Sequence, residues 1–89
     1  MAQIIDVYGN VTEVEPTNGT DFTLTELQNY LGGVIEILPL KERVMVLYRD
    51  AHLAGREENR LATREVTRVH GTIGRIIGPA LICTQEEIR

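Results

Sequence analysis

Apolar positions recur along this chain with two different periods. Residues 4–8 (Ile-Ile-Asp-Val-Tyr) and 11–15 (Val-Thr-Glu-Val-Glu) predict an antiparallel strand pair, with Gly9-Asn10 as a two-residue turn. Pro16 ends the second run, and Thr17-Asn18-Gly19-Thr20 predicts a loop. The period then changes to that of a helix, with Leu24, Leu27 and Leu31 on one face. Thr23 stands as its N-cap and Glu26 completes a capping box. Phe22 and Leu27 are spaced as a hydrophobic staple, and Gly32 supplies the stop. About two and a half turns cannot hold a helix in water alone, so this one is expected to pack on a sheet.

Residues 34–38 form a nearly continuous apolar run, which predicts a strand covered on both faces, with Glu36 inside it. A turn at 39–42 leads to a further strand over 43–48, and residues 50–55 read as a hairpin loop. Asn59 predicts the cap of a second helix ending near Val69. Ile73, Ile76, Ile77 and residues 80–83 predict one or two closing strands around Gly78-Pro79, followed by a polar tail over 84–89. The expected fold is α+β, a small antiparallel or mixed sheet with two short helices, in one domain spanning 1–89.

Length bears on assembly. A chain of 89 residues buries roughly 60–65% of the surface its unfolded form exposes. Its stability margin is thin, and a homo-oligomer is expected, with the strand at 43–48 or the one at 34–38 near the interface. No run of about 18 apolar residues is present, so no membrane partner is expected. A single cysteine, Cys83, gives neither an internal disulfide nor a cysteine zinc site. With no visible leader, the expected setting is the cytoplasm.

The charge is divided along the chain. Residues 1–40 carry six acids and no Lys or Arg, whereas residues 41–75 carry eight bases against five acids. The plain expectation is mutual attraction within the fold or across a dimer. The sharper expectation is an anion site in the basic half. There, seven arginines stand against a single lysine, and a guanidinium grips carboxylate or phosphate with two parallel bonds. Broad nucleic-acid binding is disfavoured by a net charge of −4 and 4% aromatic residues.

Catalytic signatures fail one after another. The chain has no serine and no phosphate-binding P-loop, and His52 and His70 lack metal-ligand spacing. Gly71-Thr72-Ile73-Gly74 has the form of an RNA-clamping loop, but Gly78-Pro79 follows too soon for the helix that loop needs. A non-catalytic protein without a cofactor is expected. The ligand contacts are placed at Asn59, Arg60 and Thr63, where a helix N-terminus presents free donors to an anion, with Arg64 one turn on. Glu36 is expected to pair with an arginine of the basic half, and a ligand contact is the alternative.

One resemblance joins these elements. The stretch Phe22 to Glu36 (Phe-Thr-Leu-Thr-Glu-Leu-Gln-Asn-Tyr-Leu-Gly-Gly-Val-Ile-Glu) resembles the signature of the domain-of-unknown-function family numbered 3846, a Leu-x-Glu-Leu-Gln helix, a Gly-Gly turn and an Ile-Glu strand. Asn59-Arg60-Leu61-Ala62-Thr63 is similar to its Asn-x-x-Ala-Thr element, and Ile77-Gly78-Pro79-Ala80-Leu81-Ile82 to its closing strand. The family's Asn-Glu-x-Gly hairpin is replaced here by residues 49–55. The resemblance implies a compact α+β domain common in phages and mobile elements, with no established reaction. By analogy with small phage proteins, it suggests counter-defence: sequestering an anionic nucleotide signal, or docking on a host protein and inhibiting it.

Overall fold

The computed structural model describes residues 2–71 and 74–88. In chain order the elements are β1 (Ala2–Ile5), β2 (Val11–Val14), α1 (Leu24–Leu31), β3 (Ile35–Pro39), β4 (Arg43–Tyr48), α2 (Arg60–His70) and β5 (Ala80–Thr84). A short 3-10 turn follows at Gln85–Glu87. The strands form one antiparallel sheet in the order β2-β1-β5-β4-β3, so the α+β expectation holds.

Alternation along the inner strands divides the core in two. Val44, Val46, Leu81 and Cys83 lie against Leu27 and Leu31 of α1, together with Phe22 and Ala2. Met45, Leu47, Ala80 and Ile82 lie against Ala62 and Val66 of α2, together with Ile5, Leu40 and Ile76. The helices therefore cover opposite faces, and β4 and β5 are buried on both sides. This corrects one expectation. The apolar run at 34–38 is not the doubly covered strand. β3 lies at the sheet edge, with Glu36 and Ile37 exposed. Val44 to Leu47 of β4 are buried within one chain instead.

The local signals around α1 are all present. Thr23 Oγ1 accepts from the Glu26 amide at 3.2 Å, and Glu26 Oε1 accepts from the Thr23 amide at 3.2 Å. Phe22 and Leu27 are both buried, as a hydrophobic staple requires. Gly32 ends the helix at φ 107, with its amide donating to the Gln28 carbonyl. Gly33 is needed for a different reason. A Cβ there would stand 2.7 Å from Cε1 of Tyr48. The Gly-Gly turn thus lies against the Tyr48 ring, whose other neighbour is the Arg56 guanidinium at 5.7 Å.

Three loops depart from expectation. The first hairpin turns through residues 6–10 rather than through Gly9-Asn10, because Asp6 Oδ1 accepts from the amides of Tyr8 and Asn10 and holds a wider loop. Residues 50–55 are not a hairpin loop. The Asp50 carbonyl accepts from Leu53 and Ala54, and the Ala51 carbonyl from Arg56, so the chain curls back and proceeds to α2. The polar tail is docked: the Phe22 amide donates to the Glu87 carbonyl, Ile88 bridges to Phe22, and Ile88 packs on the α1-side core. A single strand, β5, closes the sheet. Of the residues expected to contribute to closure, Ile73 lies outside the described residues.

Candidate functional site

Asn59 is the only polar residue in the buried core among the described residues, at 0% exposure. Its Oδ1 accepts from the Ala62 amide at 3.1 Å, which is the N-cap bond of α2. Its Nδ2 donates to the carbonyls of Ile5 at 2.8 Å and Gly78 at 3.0 Å. The main chain is equally engaged: its amide donates to Ile76 and its carbonyl accepts from the Thr63 amide and hydroxyl. Thr63 Oγ1 in turn accepts from the Ile76 amide at 2.8 Å. Asn59 and Thr63 therefore tie α2 to β1 and to the segment before β5. Both side-chain donors of Asn59, and the hydroxyl proton of Thr63, are directed into the protein. The placement of a ligand on these two side chains is corrected accordingly.

Arg60 and Arg64 are exposed on the outer face of α2. Arg68, one turn beyond Arg64, is exposed and lies 3.6 Å from the half-buried Glu65 three residues before it. Such pairs contribute little to stability. Among the described residues, no arginine from Arg43 to Arg75 lies within 4 Å of an acid from the first forty residues. Among the described residues, the expected attraction between the two halves is thus not seen as direct pairing of these arginines with those acids. Several acids are occupied locally instead. Asp6 is held by Tyr8 and Asn10, and hydrogen bonds led by the Asn10 amide keep its carboxyl below the ordinary value. Glu26 Oε2 accepts from the amide and hydroxyl of Thr17, and these bonds, with those from Thr23, lower its pKa likewise.

Glu36 is not paired internally either. It is exposed on the edge strand, with no ion pair among the described residues. The register sets it opposite Leu47, on the α2 side of the sheet. There it lines a cavity of about 150 Å3 together with Leu47, Tyr48, Arg49, Ala51, His52, Arg75, Ile76 and Ile77. One carboxylate, two guanidinia and an imidazole thus share a wall with four apolar side chains and the phenol of Tyr48. Arg49, His52 and Arg75 were not singled out as ligand residues from the sequence. The excess of arginine over lysine was the available signal, but it does not say which arginines converge. This cavity is well below the roughly 300–1,000 Å3 that encloses a drug-sized ligand, so it suits one group of a larger molecule.

Other chemistry is limited. Cys83 is buried, and burial, with the charge of Glu87, pushes its thiol up to about 11, which suppresses the reactive thiolate. His70 Nε2 bonds to the Pro39 carbonyl and anchors the end of α2. Among the described residues, no three His, Cys, Asp or Glu side chains are grouped to hold a metal ion. None of the described helices is long and apolar enough to cross a membrane. Comparison with protein-family models, with curated proteins and with solved structures finds no match.

Proposed function

We propose that the chain is a non-catalytic binding protein whose arginine-rich half takes an anionic ligand. In its sharpest form it is a phage or mobile-element counter-defence sponge that sequesters a nucleotide signal. One observation carries this reading. Arg49 and Arg75 line the same cavity, and neither pairs with a carboxylate within 4 Å among the described residues. Arginines that served only to balance the acidic half would lie against its carboxylates. The resemblance to family 3846 supports the phage or mobile-element setting. Arg60 and Arg64 remain exposed on α2 for a ligand that extends beyond the cavity.

The test is calorimetric titration with a panel of cyclic and linear nucleotides at physiological salt. The wild type is expected to bind one class, and the Arg49→Ala/Arg75→Ala variant to lose at least tenfold in affinity. Arg60→Ala reads whether the ligand extends along α2. If no nucleotide binds, the sponge reading fails.

A second reading, a module that docks on a host protein or on its own copy, is favoured by the two open sheet edges. Val11 on β2, Val34 beside β3 and Ile37 on β3 are exposed there. An extended partner segment can add to such an edge. Analytical ultracentrifugation tests the self-association part, for which a dimer is expected and a 10.0 kDa species at micromolar concentration counts against it.

A further inference from the structure

We propose that the cavity lined by Glu36, Arg49, His52 and Arg75 takes a 6-oxopurine ring, the guanine or hypoxanthine base of a nucleotide. The proposal rests on the anionic-nucleotide reading above and adds which part of the ligand enters this cavity.

The composition of the wall carries the argument. Leu47, Ala51 and Ile76 are buried and Ile77 is half-buried, whereas Glu36, Arg49, His52 and Arg75 are exposed. Tyr48 lines it too, so buried apolar side chains, a phenol and four exposed charged or polar side chains share the wall. A phosphate or carboxylate lodged against the buried apolar side chains would lose its water without gaining donors there, because the donors of Arg49, His52 and Arg75 stand at the exposed rim. It would also meet the carboxylate of Glu36, a like charge. A purine base has the matching surface, with two apolar faces and a polar perimeter. On a 6-oxopurine, O6 and N7 accept hydrogen bonds, the geometry a guanidinium fork satisfies with two bonds. N1–H, joined in guanine by the 2-amino group, donates, and a carboxylate accepts. Glu36 beside two arginines is the donor and acceptor set this edge requires.

Three further facts agree. No side chain among Glu36, Arg49, His52 and Arg75 is engaged by a hydrogen bond or ion pair among the described residues, so none must be released before binding. About 150 Å3 is room for a single base and not for a whole nucleotide. The phosphates then remain outside, at the exposed arginine surface. Adenine reverses the pattern, with an amino group where O6 stands and an acceptor at N1. It would set a donor against the guanidinia and a lone pair against Glu36. A site built for one hydrogen-bonding edge discriminates strongly against its reverse.

Isothermal titration of the full chain with GMP, IMP, AMP and inorganic phosphate tests this. GMP and IMP are expected to bind at least about tenfold more tightly than AMP, and phosphate to compete weakly. Glu36→Gln, at an exposed position, is expected to keep the wild-type melting midpoint and lose most of the preference for GMP over AMP. Equal affinity for GMP and AMP in the wild type overturns the base assignment while leaving the anionic reading in place, as does free phosphate competing as well as GMP. Unchanged GMP affinity in Glu36→Gln overturns it too. Absence of binding by every nucleotide overturns both.

Discussion

Asn59 stands in a charged stretch of the sequence (Arg56-Glu57-Glu58-Asn59-Arg60) and Glu36 in an apolar run, and the structure gives them the opposite circumstances. Asn59 is fully buried, and its side chain makes three hydrogen bonds, to Ile5, Ala62 and Gly78. Glu36 is exposed and has no pairing partner among the described residues. The difference lies in sheet position. Asn59 sits where α2 begins against the middle of the sheet, beside β1 and the entry to β5, so water is excluded and every polar atom needs a partner. Glu36 sits on the edge strand, where water can solvate a carboxylate and no internal arginine is needed. A buried polar residue with a complete set of bonds belongs to the scaffold. An exposed one among other unengaged charges is open to a ligand.

The contrast breaks most visibly at Asn59. Asn59→Ala leaves the Ile5 and Gly78 carbonyls and the Ala62 amide without their partner, and it is expected to cost about 3 kcal/mol or more. Asn59→Asp separates the two functions of the side chain. Asp caps a helix about as well as Asn, yet its carboxylate cannot donate to two carbonyl oxygens in a buried site. Urea unfolding of both variants is the measurement. If Asn59→Asp is as stable as wild type, the tie to β1 and β5 carries no weight and Asn59 is only a cap.

The Gly-Gly turn comes next in size. Gly33→Ala places a methyl group 2.7 Å from the Tyr48 ring and is expected to destabilise by about 1–3 kcal/mol through overpacking. In a Tyr48→Ala background the same change should cost far less, and that coupling identifies the contact. Thr23→Ala is smaller, at about 0.5–2 kcal/mol. The partner of Thr23 gives a pH signature. Glu26 has its carboxyl lowered from the ordinary 4.5 by bonds from Thr17 and Thr23. Its contribution is therefore complete above that value and lost as pH falls through the lower folded-state value. Glu26→Gln should flatten this acid limb of the stability curve, and an unchanged limb would assign it to other carboxylates.

The local elements were legible because their determinants are local. Thr23, Glu26, Leu27 and Gly32 lie within ten residues of one another, and α1 lies where they place it. The same holds for Asn59 as the cap of α2, but not for its burial, since the Ile5 and Gly78 carbonyls are 54 and 19 residues away. The apolar runs at 34–38 and 43–48 look alike in sequence. Sheet order alone decides that one is an edge and the other a centre, and sheet order depends on α2 carrying the chain from β4 across to β5. The cavity was hidden for the same reason, because β3, the 49–52 loop and the 75–77 segment meet only in the folded chain. The docked tail was legible and missed: Thr84 and Glu87 repeat the spacing of Thr23 and Glu26, and Glu87 Oε1 accepts from the Thr84 amide.

The smallest effect on stability is the most informative about function. Internal pairing of Glu36 with an arginine would make Glu36→Ala cost several kcal/mol by stranding a buried charge. The edge position removes that penalty, so the variant is expected to stay within about 0.5 kcal/mol of wild type in urea unfolding. A larger loss would mean that an arginine reaches Glu36 in solution and that the cavity is closed by the protein's own charges. A neutral result leaves a carboxylate and two guanidinia lining one cavity with no structural contribution from the carboxylate. A ligand then answers to charged groups that the fold brings together and leaves unpaired among the described residues, whatever the excess of arginine in the sequence, and the nucleotide titrations decide what they hold.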